Sequence, residues 1–198
     1  MEISLDLKPV RTRFAPSPTG RMHLGSARSA LFPFLLARRS GGTFILRIED
    51  TDQKRLVPQA EQELIDGLHW LGINFDEGPH IGGPNGPYRQ TERREIYKEF
   101  AWKLVDLGKA FPCFCDAERL NRIRQEQIKN KQNPRYDGAC RNLDPDEGHR
   151  RAAAGEKFVI RFKMPKEGSV ITTDLLRGST ITENSALDDS VLIKSDGL

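Results

Sequence analysis

Val10-Arg11-Thr12-Arg13-Phe14-Ala15-Pro16-Ser17-Pro18-Thr19-Gly20-Arg21-Met22-His23-Leu24-Gly25-Ser26 is the stretch whose reading decides the fold. Val10 to Ala15 reads as a short strand, stopped by Pro16-Ser17-Pro18-Thr19-Gly20. A helix is predicted from about Leu24 to Arg39, ending at Gly41-Gly42, with a kink at Pro33, where a backbone donor is missing. Thr43 to Ile48 follows as an apolar run suited to a strand buried on both faces. Strand, turn, helix and strand in that order predict an α/β arrangement with a parallel sheet. The turn has the parts for a nucleotide phosphate. Its prolines stiffen it, Gly20 and Gly25 let an anion approach the backbone, and the helix N-terminus offers free N–H groups and the positive dipole end. His23 is placed to donate to a phosphate oxygen as charge builds in a transition state. Taken alone, His-x-Gly equally describes a braced turn with an incidental histidine.

Arg47-Ile48-Glu49-Asp50-Thr51-Asp52 falls at the C-terminal end of the second strand, beyond which ligands gather in parallel sheets. Its carboxylates suit an ammonium group or a terminal nucleotide, or else form an acidic turn in which Thr51 or Asp52 caps a helix. Ala60, Leu64, Ile65, Leu68 and Leu71 make a helical stripe closed by Gly72. Residues 77–87, rich in Gly and Pro, read as a long loop. Thr91 is a cap for another helix, with the stripe Ile96, Tyr97, Phe100, Leu104 and Leu107 ending at Gly108. A domain boundary is placed near residue 90, with a βαβ-type layer before it and an α+β region after it. In that region Asp116 to Lys131 is a polar helix halted by Asn133-Pro134, and residues 144–156 are a charged loop or short helix. Phe158, Ile160 and Phe162 mark a strand with one buried face, and Ser169–Thr173 and Ser190–Lys194 are further strands.

The chain has 198 residues, with 31 Lys and Arg against 28 Asp and Glu, a formal charge of +3. That excess permits a polyanionic partner without demanding one. No run approaches the ~18 apolar residues of a membrane span. Met1-Glu2-Ile3-Ser4-Leu5-Asp6 lacks the basic and apolar regions of a secretory signal, so the cytoplasm is the default location. Three cysteines, an odd number, argue against a disulfide framework. Cys113 and Cys115, two apart in an extended segment, share a face and reach one ion, and with Cys140 they make three thiolates suited to tetrahedral zinc. The alternative is three reduced, partly buried thiols. The basic residues of the helix from Arg119 to Lys131 either track RNA phosphates or form a solvated face.

In combination, residues 13–26 and 44–55 resemble the N-terminal half of the glutamyl-tRNA synthetases, which are class I aminoacyl-tRNA synthetases. The likeness continues through Asp76–Pro79, Gly86–Thr91, Pro134–Gly138, Asp174–Gly178 and Leu192–Gly197. It implies a Rossmann-type catalytic half-domain over residues 1–90 and an acceptor-stem-binding insertion with a zinc knuckle over 91–198. The reaction it implies is activation of L-glutamate by ATP, with Mg2+, to glutamyl-adenylate, followed by transfer to the 3′ end of tRNA. Arg13 would grip the side-chain carboxylate, since a guanidinium fork donates to it bidentately and a glutamine amide cannot accept that way. Ala15 and Ser17 would line the same pocket, and Glu49 would hold the α-ammonium. Thr19, Gly20, His23 and Gly25 would bind ATP. His23, Gly25 and Ser26 form the catalytic H-I-G-H-like element, with Ser26 standing where the family's second histidine does. Asp52 and Arg55 fall where the family meets the tRNA acceptor end. Cys113, Cys115, Tyr136 and Cys140 match the C-x-C…Y-x3-C metal pattern of some members. Asn142 replaces the histidine that other members use, and His149 is a distant candidate. A monomer is expected. The ending Ser195–Leu198 reads as a cut, so little aminoacylation is expected of this chain alone. Two alternatives remain: a glutamyl-queuosine tRNA(Asp) synthetase, and a non-catalytic RNA- or zinc-binding module.

Overall fold

The computed structural model describes residues 8–174 and 177–198. The stretch Met1–Asp6, and Leu175-Leu176 of the Asp174–Gly178 block, lie outside the described residues. The chain divides into two compact units, Met1–Glu95 and Ile96–Leu198.

In the first unit β1 (Arg11–Phe14) and β2 (Thr43–Leu46) run parallel, Arg11 opposite Thr43 and Phe14 opposite Leu46. Parallel bridges from Ile45 to Glu77 and from Ile48 to Arg89 extend this layer. α1 (Leu24–Arg39) connects the two strands. Its end follows from Gly41, whose φ of +64° is the left-handed conformation that turns the chain out of a helix. The Gly42 N–H then reaches back to the Ala37 carbonyl at 2.8 Å. α2 (Ala60–Trp70) ends the same way at Gly72. Pro33 stands inside α1, and Thr12 Oγ1 of β1 donates to the Pro33 carbonyl at 2.7 Å, tying helix to strand.

Alternation along the strands sorts their faces. Phe14, Phe44, Leu46 and Ile48 are buried against Ala30 and Ala37 of α1 and Leu64, Ile65 and Leu68 of α2. Small residues on α1 let the helix lie close to the sheet, which leaves its larger Leu24, Phe32 and Leu35 exposed. The other sheet face carries Arg11, Arg13, Ile45, Arg47 and Glu49. The expected burial of β2 on both faces is therefore corrected to one fully buried face, since α1 and α2 pack on that side. Leu71, expected in the buried stripe of α2, follows the last helical residue and is exposed.

Thr91 does not cap a helix. Its N–H donates to Asp50 at 3.0 Å and its hydroxyl bonds the same carboxylate, while residues 91–93 form a single 3₁₀ turn leading into α3 (Arg94–Asp106). The expected stripe of α3 is also corrected. Ala101 and Val105 are its buried residues, whereas Phe100 is 58% and Leu107 71% exposed. Lys103 Nζ lies 4.8 Å from the Phe100 ring and shelters it outside the core.

The second unit has a three-stranded antiparallel sheet ordered β3 (Ala110–Cys113), β4 (Val159–Phe162) and β7 (Val191–Ile193). A separate antiparallel ribbon joins β5 (Ser169–Asp174) to β6 (Gly178–Glu183). α4 (Ala117–Lys129) is capped by Asp116, which accepts from the Arg119 N–H at 2.6 Å, and α5 (Pro145–Ala153) is capped by Asp144. β3 and β6 carry no strand signal in the sequence reading. Pro112 sits mid-strand in β3, which an edge strand tolerates because the missing N–H can face outward. Of the three apolar residues expected to form one face of β4, only Ile160 is fully buried. It packs with Ala101, Val105, Ala110 and Ile193, while Phe111, Cys113 and Tyr136 form a second apolar cluster.

Candidate functional site

Two constellations stand out, one in each unit. In the first, the β1–β2 pairing runs past the strands. Arg47 N–H donates to the Phe14 carbonyl at 3.0 Å and Glu49 N–H to the Pro16 carbonyl at 2.8 Å. Continuing that register sets Ala15 beside Arg47 and Ser17 beside Glu49 on the sheet face opposite α1 and α2. Arg13 shares this face, exposed and with no hydrogen bond or ion pair among the described residues. Its neighbour Arg11 is instead held by Glu77 through two hydrogen bonds, at 2.6 and 2.9 Å. Glu49 accepts from Arg47 Nη2 at 3.0 Å.

Beside these strand ends lies a cavity of about 600 Å³, lined among others by Ser17, Thr19, Gly20, His23, Gly25 and Ser26. His23 has extended backbone and occupies the N-cap of α1, where its Nδ1 accepts from the Gly25 N–H at 3.1 Å. A nitrogen that accepts carries no proton, so this contact leaves Nε2 as the donor of the ring. Gly25 is required by this contact, because a Cβ there would lie 2.9 Å from His23 Cε1 and 3.0 Å from Nδ1. A Cβ on Gly20 would meet nothing within 4 Å, so its freedom serves the open space of the turn and not packing.

The acidic segment after β2 divides into different jobs. Asp50 is buried and ties Thr91 to the strand end. Asp52 and Arg55 pair with each other at 2.6 Å on an exposed turn, which holds the Asp52 carboxyl below its ordinary range. Neither lines the cavity. The structural role of Asp50 was hidden in the sequence, where it looked like one of three equivalent carboxylates.

In the second unit the Sγ atoms of Cys113, Cys115 and Cys140 lie within 4.8 Å of one another, those of Cys115 and Cys140 being 3.7 Å apart. The Tyr136 hydroxyl oxygen is 3.3 Å from Cys113 Sγ and 3.7 Å from Cys115 Sγ, and it accepts from the Cys140 N–H at 2.8 Å. A tetrahedral ion with Zn–S near 2.3 Å separates its sulfurs by about 3.8 Å. The four donors thus fit one ion with small adjustments. Asn142 and His149 take no part; His149 pairs with Asp106 at 2.7 Å and stacks on Trp102.

The surroundings favour thiolate. Arg119 Nη1 donates to Cys115 Sγ at 3.3 Å, and Arg161 lies over the Tyr136 ring at 4.2 Å. Hydrogen bonding from Cys140, then from Tyr136 and Arg161, pulls the Cys113 thiol down against its burial. The neighbouring Cys113 sulfur and burial push the Cys140 thiol up, and burial first of all raises Tyr136. Zinc takes cysteine sulfurs as thiolates, so its binding here would displace their protons. Asp188 accepts from the Tyr136 N–H at 3.0 Å, and the buried Asp189 pairs with Arg141, so two adjacent acids before β7 pin both loop segments of the cluster. Nothing in the sequence reading pointed to them.

With the geometry described, residues 9–198 match the family of tRNA synthetases class I (E and Q), catalytic domain. The chain belongs to that family. It is 57% identical over 189 residues to a glutamate–tRNA ligase of Ectopseudomonas mendocina, covering 96% of this chain and 38% of that protein. A glutamate–tRNA ligase of Pseudomonas aeruginosa is 54% identical with the same coverage. A crystal structure of a glutamate tRNA ligase from Elizabethkingia meningosepticum in complex with its amino acid superposes with a TM-score of 0.85 at 41% identity, covering 96% of this chain and 39% of that one. The chain thus spans about 38% of the length of the curated relatives it matches. As expected for the class, the fragment combines a parallel sheet with antiparallel ones. Among the described residues no helix is long and apolar enough to cross a membrane.

Proposed function

We propose that the full protein carrying this chain is a cytoplasmic, monomeric glutamate–tRNA ligase, whose first unit is half of a Rossmann-type catalytic domain and whose second unit binds the tRNA acceptor stem. The observation that carries this reading is the Arg13 guanidinium, unpartnered among the described residues, on the sheet face of Glu49 and next to a cavity lined by His23. L-Glutamate presents two carboxylates and one ammonium. Arg13 takes the side-chain carboxylate and Glu49 the ammonium, with Ala15 and Ser17 lining the space between. ATP, as its magnesium complex, lies along Thr19, Gly20, His23 and Gly25. An α-carboxylate oxygen of glutamate attacks the α-phosphorus, the bond to pyrophosphate breaks, and pyrophosphate leaves. His23 Nε2–H donates to a phosphate oxygen as its charge grows, and the first N–H groups of α1 add to that stabilisation. The missing second histidine leaves Ser26 at most a hydroxyl donor. A ribose hydroxyl of the tRNA end, met at Asp52 and Arg55, then attacks the mixed anhydride and releases AMP.

Cys113, Cys115, Cys140 and Tyr136 would hold a zinc ion. With four protein donors it leaves no position for water, so its contribution is to cross-link β3 to the loop of residues 136–140.

The test is glutamate-dependent ATP–pyrophosphate exchange by the full-length protein, with tRNA present. Arg13→Ala is expected to lower kcat/KM for glutamate by roughly 30- to 1000-fold, about 2–4 kcal/mol, with Tm unchanged. Exchange insensitive to this substitution would overturn the reading.

A further inference from the structure

Arg47 has no role in the account so far. It extends from the run after β2, on the face of Arg13 and Glu49, and Ala15 beside it leaves room for its stem. Its Nη2 donates to Glu49 Oε1 at 3.0 Å, with the two side chains 24% and 33% exposed. Its Nε is buried with no acceptor among the described residues. A buried N–H without a partner is a cost that an apolar side chain at the same place would avoid. Stability alone does not account for an arginine here. What it does achieve is to fix a carboxylate whose second oxygen, Oε2, has no partner among the described residues. A carboxylate on a free side chain would rotate among several rotamers, and one tied by a charge-assisted hydrogen bond does not. The sign of the face agrees. Arg13 and Arg47 against Glu49 leave one net positive charge, which suits a ligand with two carboxylates and one ammonium.

We propose that Arg47 is a positioning residue for the substrate ammonium: its guanidinium pins one oxygen of Glu49 and leaves the other to receive the ammonium group. This rests on the reading above, in which L-glutamate binds with its ammonium at Glu49. Arg47 does not line the cavity assigned to ATP, so its loss affects glutamate and spares ATP.

The experiment measures glutamate-dependent ATP–pyrophosphate exchange by the full-length protein, with tRNA present, for wild type, Arg47→Met and Arg47→Lys. Arg47→Met should raise KM for glutamate about tenfold, with KM for ATP and Tm unchanged, and Arg47→Lys should return it to within about threefold of wild type. Should Arg47→Met fail to fold, Arg47→Gln takes its place, with a comparable rise in KM for glutamate at constant KM for ATP. A glutamate KM within about twofold of wild type in the variant that lacks the guanidinium and any replacement cation overturns the proposal. So does a parallel rise in both KM values with a fall in Tm, which would mark a structural role. If the wild type shows no glutamate-dependent exchange, the parent reading fails and takes this one with it. If the wild type is active and Arg47→Met is indifferent, only the role of Arg47 falls.

Discussion

At the strand ends of the first unit Arg13 extends without a partner among the described residues, Gly20 borders open space and His23 lines a cavity. Around Tyr136 in the second unit the hydroxyl is already engaged by Cys113, Cys115 and the Cys140 amide, with Arg119, Arg161, Asp188 and Asp189 filling the surroundings. Both places collect polar groups, but the first turns them towards open space and the second towards one another. Open donors on a rigid frame are what a transient ligand needs, because binding then supplies the partners the protein withholds. A set of donors that converges on one point and is braced from behind is what a permanent cross-link needs.

The largest stability effect should come from the second region. Stripping zinc with a chelator, or Cys113→Ser, is expected to lower the unfolding free energy by several kcal/mol, measured by denaturant titration alongside metal content. Hydrogen exchange should rise in β3 and residues 134–141 and stay low in β1 and β2. Equal loosening of β1 would break the contrast between a cross-link and an open site.

A smaller effect sharpens the other side. Alanine normally favours a helix over glycine by up to about 1 kcal/mol, so Gly25→Ala in α1 should leave stability intact or improve it. Its methyl would nevertheless push the His23 ring away and break the contact that sets its tautomer. An activity loss of about 10- to 100-fold without loss of Tm is expected, read from exchange kinetics and thermal melts. Unchanged activity would mean that His23 need not be held.

The smallest effect concerns Arg11, the strand neighbour that is paired where Arg13 is not. Hydrogen bonds from Arg11 first, and from Tyr88 second, hold the Glu77 carboxyl below its ordinary value. A carboxyl lowered on folding contributes stability above its unfolded pKa, about 4.3, and loses it as pH falls through the lowered value. Arg11→Met should therefore cause a modest fall in Tm near neutral pH that shrinks below about pH 4. A decrement constant over that range would show that the pair does not carry it.

Much of the frame was legible because local rules agreed with tertiary demand. α1 begins at Leu24 and ends at Arg39 as its turn and glycines predict, and Asp116 caps α4 where the polar helix was expected to start. The reading failed where neighbours chose between equivalent residues. Phe100 and Leu107 were expected in the buried stripe and Val105 was not, yet the core takes Ala101 and Val105, each one position beyond a residue of that stripe. β3 escaped notice because Pro112 breaks the pattern, and only a place at the sheet edge makes it acceptable.

By itself the sequence determined which groups were available: an arginine before a proline-braced turn, a histidine two residues before a glycine, and three cysteines at spacings that suit a metal, with the tyrosine implied by the family resemblance. Those are matters of residue type and separation along the chain. The tertiary structure decided which groups remain free. Glu77 claims Arg11 and leaves Arg13, Thr91 claims Asp50, Arg47 takes one oxygen of Glu49 and leaves the other, and Asp188 and Asp189 brace the tyrosine and Cys140 loops from far along the chain. Whether a charge is consumed or kept for a ligand depends on partners distant in sequence, and only folding brings those together.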